Sequence, residues 1–117
     1  ESSLIGNNLS AIPKGIDHCY VLNNNRMDEP ATTLTHKASG RTLTIFCTQP
    51  GLQVYTGNFL DGSFAGHNNT PYHKHSAICL EMQHFPDSPN KSSFPTTLLT
   101  PESTYEESAS LIFGLKE

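Results

Sequence analysis

The chain has 117 residues, 35% of them hydrophobic and 15% charged, with a formal net charge of −4; a chain of this length builds one core and hides about two-thirds of its unfolded surface. Its polar balance comes from Ser, Thr and Asn rather than from charge, which favours a folded β-rich chain over a disordered one. The seven Lys and Arg are scattered, so no nucleic-acid partner is expected, and no run approaches the ~20 apolar residues of a spanning helix, so no membrane partner is expected.

In chain order, the stretch before Ile16 is polar and patternless, and no segment holds the spacing of an amphipathic helix. Short alternating runs bounded by Gly, Pro or Asn predict strands at residues 18–23, 32–36, 41–48, 52–58, 76–84, 96–100 and 104–113. The fold class expected is therefore all-β, an antiparallel β-sandwich. In the third run Leu43, Ile45 and Cys47 share one face and Thr42 and Thr44 the other. In the last, Tyr105, Ala109, Leu111 and Phe113 form an apolar row opposite Glu106, Ser108 and Ser110. Residues 62–71 and the proline-rich 85–95 read as loops.

Cys19, Cys47 and Cys79 lie far apart and form no Cys-x-x-Cys pair, so reduced thiols in a cytoplasmic protein are the expectation. Asn-x-Ser/Thr sequons at Asn8, Asn68 and Asn90 are of the number that chance produces in so Ser-, Thr- and Asn-rich a chain.

Three short stretches carry candidate chemistry. Around Glu81, Ile78, Leu80 and Met82 fall on one parity and Cys79, Glu81 and Gln83 on the other. One face feeds a core, while the other offers a carboxylate and an amide able to hydrogen-bond a polyol. Pro50-Gly51 turns the chain into a strand whose Gln53 and Tyr55 lie opposite Leu52 and Val54. Gly15-Ile-Asp17-His18 places a carboxylate at a strand entrance. On periodicity alone a solvated Glu81 and turn-capping or hydrogen-bonding roles for Asp17 and Gln53 are the favoured readings.

Longer wording narrows the choice. Thr48-Gln-Pro-Gly-Leu-Gln-Val-Tyr-Thr-Gly-Asn-Phe-Leu-Asp-Gly62, Tyr72-His-Lys-His-Ser-Ala-Ile-Cys-Leu-Glu-Met-Gln-His-Phe-Pro-Asp87 and the Gly-x-Asp-His turn occur in one order. Together they resemble the last third of the galactose mutarotase (aldose 1-epimerase) family over residues 15–113. The resemblance implies that residues 1–117 are the C-terminal portion, a fragment, of a β-supersandwich domain. It further implies a cofactor-free isomerase that interconverts the α and β anomers of galactose, glucose and related monosaccharides. Carried over by motif, the catalytic base falls on Glu81 and the substrate-binding residues on Asp17 and Gln53. Two departures stand outside these motifs: Pro89 replaces an aliphatic residue, and Pro101-Glu-Ser-Thr-Tyr105 lacks the usual glycine after proline.

The family's general acid is a histidine well upstream, in a region this chain does not contain. The acid is therefore expected from the missing N-terminal part of the domain, and the isolated chain is expected to be inactive. Three rival readings use the same residues: a catalytically silent binder of sugars or sugar phosphates, a cupin-like metal site built from His73, His75 and Glu81, and a glycosidase with Asp17 and Glu81 as its carboxylates.

Overall fold

The computed structural model describes residues 3–116. In chain order its elements are a five-residue helix α1 (Ile5–Leu9) and six strands: β1 (Asp17–Val21), β2 (Thr32–His36), β3 (Arg41–Cys47), β4 (Gly51–Tyr55), β5 (Cys79–Gln83) and β6 (Ala109–Leu115). The strands form two three-stranded sheets, ordered β1-β4-β5 and β2-β3-β6. The all-β class expected from the sequence is the one observed.

Two compact units divide the chain. One takes the chain up to Tyr20 together with Gln53–Glu81, and the other takes Val21–Leu52 and the chain from Met82 onwards. The first holds the larger part of β1, β4 and β5; the second holds β2, β3 and β6 entire.

In the second unit β2 and β3 form an antiparallel hairpin, with Leu34 opposite Leu43 and Thr32 opposite Ile45. Gly40 ends the turn at φ 67°, where a side chain would also meet the Lys116 carbonyl, so glycine is required there. β6 runs antiparallel along the other side of β3, pairing Leu43 with Phe113, Ile45 with Leu111 and Cys47 with Ala109. Directly opposed residues share a face, so Leu34, Leu43, Ile45, Cys47, Ala109, Leu111 and Phe113 make one apolar surface. Ile45 and Cys47 are fully buried at one end of it. The opposite face carries Thr33, Thr42 and Thr44, and the Thr33 and Thr44 hydroxyls meet across the hairpin at 3.4 Å.

Four expectations are corrected. Residues 96–100 form no strand, because the Thr96 hydroxyl accepts from the Leu98 N–H and the Ser103 hydroxyl from the Thr100 N–H. Such local side-chain bonds offer the backbone an alternative to a ladder. The last strand begins at Ala109 rather than at 104, since its approach is tied by side chains: Gln49 donates to the Tyr105 hydroxyl at 3.0 Å, and the Thr48 hydroxyl donates to Glu107. Residues 76–78 are not yet strand, and β5 starts at Cys79. The stretch before Ile16 contains α1, whose i,i+4 pair Ile5 and Leu9 is its only apolar signal.

The two departures from family wording sit where they cost little. Pro89 occupies the first turn of the 3₁₀ segment Ser88–Asn90, where its missing N–H has no partner to lose. Pro101 lies in a turn.

Candidate functional site

Asp17 opens β1, and its position is set by the residue before it. Ile16 is buried; its N–H donates to the Thr56 hydroxyl at 3.0 Å, and its carbonyl accepts from the Thr56 N–H at 3.1 Å and from Asn58 Nδ2 at 2.8 Å. The Thr56 hydroxyl in turn donates to Asn58 Oδ1 at 2.7 Å. This clamp ties the entry of β1 to the exit of β4. Gly15 completes it: at φ 78° a Cβ would stand 1.9 Å from Asn58 Oδ1, so no other residue leaves the amide its place.

Gln53 sits at the middle of β4, the central strand of its sheet. Its Nε2 donates to Asp17 Oδ1 at 2.7 Å, across 36 positions of sequence. The amide oxygen of Gln53 is enclosed and has no hydrogen-bond partner among the described residues. Asp17 is exposed and uses one carboxylate oxygen for this bond. Its second oxygen remains an acceptor for a ligand hydroxyl.

Glu81 lies at the centre of β5, beside β4 in the sheet. The expected alternation holds as far as Met82: Cys79 and Glu81 are exposed and Leu80 and Met82 half-buried, while Gln83, expected on the open face, is half-buried as well. Asp17 and Gln53 are thus in direct contact, whereas Glu81 makes no hydrogen bond to either. Among the described residues no ion pair occupies the Glu81 carboxylate.

The histidines of the cupin-like reading are not assembled with Glu81. The His75 ring donates from Nδ1 to the Thr56 carbonyl at 2.9 Å, at a backbone φ of 65°. The His73 ring packs over Gly62, 2.8 Å from where a Cβ would stand. Both precede the first residue of β5, so strand parity never aligns them. Among the described residues no group of three or more His, Cys, Asp or Glu could hold a metal ion, and no helix is long and apolar enough to cross a membrane.

Thr56 and Asn58 were not singled out in the sequence, although both lie in the Thr-Gly-Asn that follows Tyr55. The available signal was Gly57 between two small hydrogen-bonding side chains, a pattern that marks a turn as readily as a clamp.

The first sheet thus holds a carboxylate–amide pair on the adjacent strands β1 and β4 and the Glu81 carboxylate on β5. The family model for aldose 1-epimerase matches residues 1–111. The chain belongs to the aldose 1-epimerase family. It is 44% identical over 101 residues to the galactose mutarotase of Mus musculus and 43% identical over 101 residues to that of Homo sapiens. Each of these matches takes in 86% of this chain and 30% of the relative. It is also 39% identical to the aldose 1-epimerase of Haemophilus influenzae over 77 residues, which is 66% of this chain and 22% of that protein. The chain therefore spans under a third of the length of these relatives.

Proposed function

We propose that this chain carries the base and part of the sugar cradle of an aldose 1-epimerase acting on galactose, glucose and related aldoses. The observation that supports this most directly is the hydrogen bond from Gln53 to Asp17. It joins the two residues to which the family resemblance gives a substrate-binding role, and Gln53 lies on the strand next to the one bearing Glu81.

In this reading Glu81 removes the proton from the O1 hydroxyl while an acid protonates the ring oxygen. The C1–O5 bond breaks, the sugar opens to the aldehyde, and rotation about C1–C2 precedes reclosure as the other anomer. General catalysis of this kind typically contributes ~10²–10⁴-fold. Asp17 and Gln53 hold ring hydroxyls so that O1 stays within hydrogen-bond reach of the base. The acid comes from sequence outside these 117 residues.

Polarimetry of freshly dissolved α-D-galactose tests both halves. The chain alone should leave the rate at the buffer value, and the chain grafted in place of the matching segment of the mouse galactose mutarotase should accelerate it. In that graft Glu81→Gln should remove the acceleration while sugar binding persists. Full activity in the Glu81→Gln graft would exclude Glu81 as the base, and robust activity of the chain alone would place the acid within it.

A further inference from the structure

Thr56 is bonded in two directions. Its N–H and hydroxyl meet Ile16 and so fix the entry of β1, where Asp17 stands. Its carbonyl accepts from the His75 ring at 2.9 Å. A carbonyl oxygen only accepts, so the ring proton on this side sits on Nδ1. The His75 main chain repeats the tie one residue further along, its N–H donating to the Gly57 carbonyl at 3.2 Å. Just beyond, the chain runs so close to the exit of β4 that a Cβ on Gly57 would stand 3.1 Å from the Ala77 carbonyl oxygen. From Ala77 it enters β5 and reaches Glu81. Asp17 and the strand of Glu81 are thus both referred to Thr56, the first through its hydroxyl and N–H, the second through its carbonyl.

His75 holds its end of this connection at φ 65°. A non-glycine residue in the left-handed region is uncommon and persists where its surroundings over-determine it, often at functional sites. The side-chain bond to Thr56 and the main-chain bond to Gly57 supply that determination. Among the described residues no other side chain between residues 72 and 78 makes a hydrogen bond to β4 or its exit. The imidazole is therefore the side chain that seats the approach to β5.

We infer that His75 is a positioning residue for anomerisation: its Nδ1–H bond to the Thr56 carbonyl sets β5, and with it Glu81, against Asp17 and Gln53. The inference rests on the reading of Glu81 as the base for its catalytic consequence, and on the hydrogen bonds alone for its structural one. His75 acts through the backbone and exchanges no proton with the sugar.

Three changes separate its features. Glycine accepts φ 65° freely and lacks the donor, so His75→Gly removes the bond without adding strain. Asparagine tolerates the same backbone region and carries an N–H donor one bond beyond Cγ, as Nδ1 does, so His75→Asn keeps both. His75→Ala lacks the donor and is strained as well. In the graft into the mouse galactose mutarotase, His75→Gly should lower kcat by about 10–100-fold, the scale of a misplaced catalytic group. KM should stay near the parent value, because the ties of Asp17 and Gln53 are untouched. His75→Ala should be at least as poor, and His75→Asn should return kcat to near the parent with the same pH profile. In the 117-residue chain, His75→Gly should speed amide hydrogen exchange along β5 more than at Leu43 on β3, and His75→Asn should not.

Parental kcat in His75→Gly would overturn the inference, as would a His75→Asn graft no better than the glycine variant. A pH profile altered in His75→Asn would overturn it too, since the ring would then titrate in the reaction. If His75→Gly does not fold in the graft, His75→Asn decides: kcat near the parent upholds the inference, and a loss of about tenfold or more sinks it. A parent graft without activity refutes Glu81 as base. The exchange pattern of the chain then decides the role of His75, with β5 loosened in the glycine variant alone upholding it and β5 unchanged overturning it.

Discussion

Gln53 Nε2 donates to Asp17 Oδ1 at 2.7 Å and thereby joins the middle of β4 to the first residue of β1. A bond between an amide and an ionised carboxylate does two things at once. It fixes the carboxylate's orientation, and it leaves the second carboxylate oxygen free for a ligand hydroxyl.

The two residues should act as a unit. In the graft described above, Gln53→Ala and Asp17→Ala are each expected to raise KM by roughly tenfold with a smaller change in kcat, since each loses about one hydrogen bond to a charged group. The double variant should be much less than the product of the two, because each single change already releases the other partner. Gln53→Glu should be worse than Gln53→Ala, since it sets a second carboxylate against Asp17. Multiplicative KM values across the cycle would show that the bond plays no part in holding sugar.

Below this pair lies the clamp of Ile16, Thr56 and Asn58, which the 117-residue chain can report without any catalysis. Asn58→Ala removes the bond to the Ile16 carbonyl and leaves the Thr56 hydroxyl short of its acceptor, at an expected cost of about 1–3 kcal/mol. Gly15→Ala combines a positive φ with a collision against the same amide and should cost at least as much. In the Gly15→Ala, Asn58→Ala double variant the collision has nothing left to strike, so urea unfolding should give a loss smaller than the sum. Strict additivity would mean that Gly15 is required for its backbone angle alone.

Much of this was legible in the sequence, for reasons that are themselves physical. β2 and β3 were found nearly to the residue because their alternation is dense and Gly40 marks the turn between them; Pro50-Gly51 marked the start of β4, which ends at Tyr55 rather than at 58. The parity of Glu81 against Leu80 and Met82 held because period two is a property of the backbone. What could not be read was side-chain competition: Thr96, Thr100 and Ser103 look like strand formers by type but bond their own backbone. Nor could the exposure of Leu111 and Phe113 be read, since periodicity states which residues share a face and not whether anything lies over it. Asp17 and Gln53 were nominated by motif, yet their contact spans 36 residues and had no local signature.

The approach to β6 offers a third test. The Thr48 hydroxyl donates to Glu107 and accepts from the Ser108 N–H at 2.9 Å, so one side chain bridges β3's end to the segment leading into β6. Thr48→Val keeps the β-branched shape and removes only the hydroxyl. It should lower stability by about 1–2 kcal/mol in urea unfolding, and it should loosen hydrogen-exchange protection at Ser108 more than at Leu43. Uniform loss of protection across β3 would show that the hydroxyl supports the whole strand rather than this junction.

The thiols give a last prediction, in which burial and pH act together. Cys47 is fully enclosed on β3 and Cys79 is exposed on β5. Burial pushes the Cys47 thiol above the ordinary value of 9.0; the charge of Glu107 adds to the rise, and the hydrogen bond with the Gln49 backbone works against it. Only the thiolate is nucleophilic, so a maleimide or disulfide reagent at neutral pH should label Cys79 in the native chain and leave Cys47 unmodified until the chain unfolds. A raised thiol pKa also fixes the sign of the pH dependence. Below 9.0 both folded and unfolded Cys47 keep the proton, and the group's contribution to stability is constant. As pH rises beyond 9.0 the unfolded thiol ionises first, which draws the equilibrium towards the unfolded chain until the folded thiol follows. The urea midpoint should therefore fall above pH 9, and Cys47→Ala, although less stable throughout from the cavity it creates, should fall less steeply over that range. An identical slope in the variant would show that Cys47 is not the group responsible.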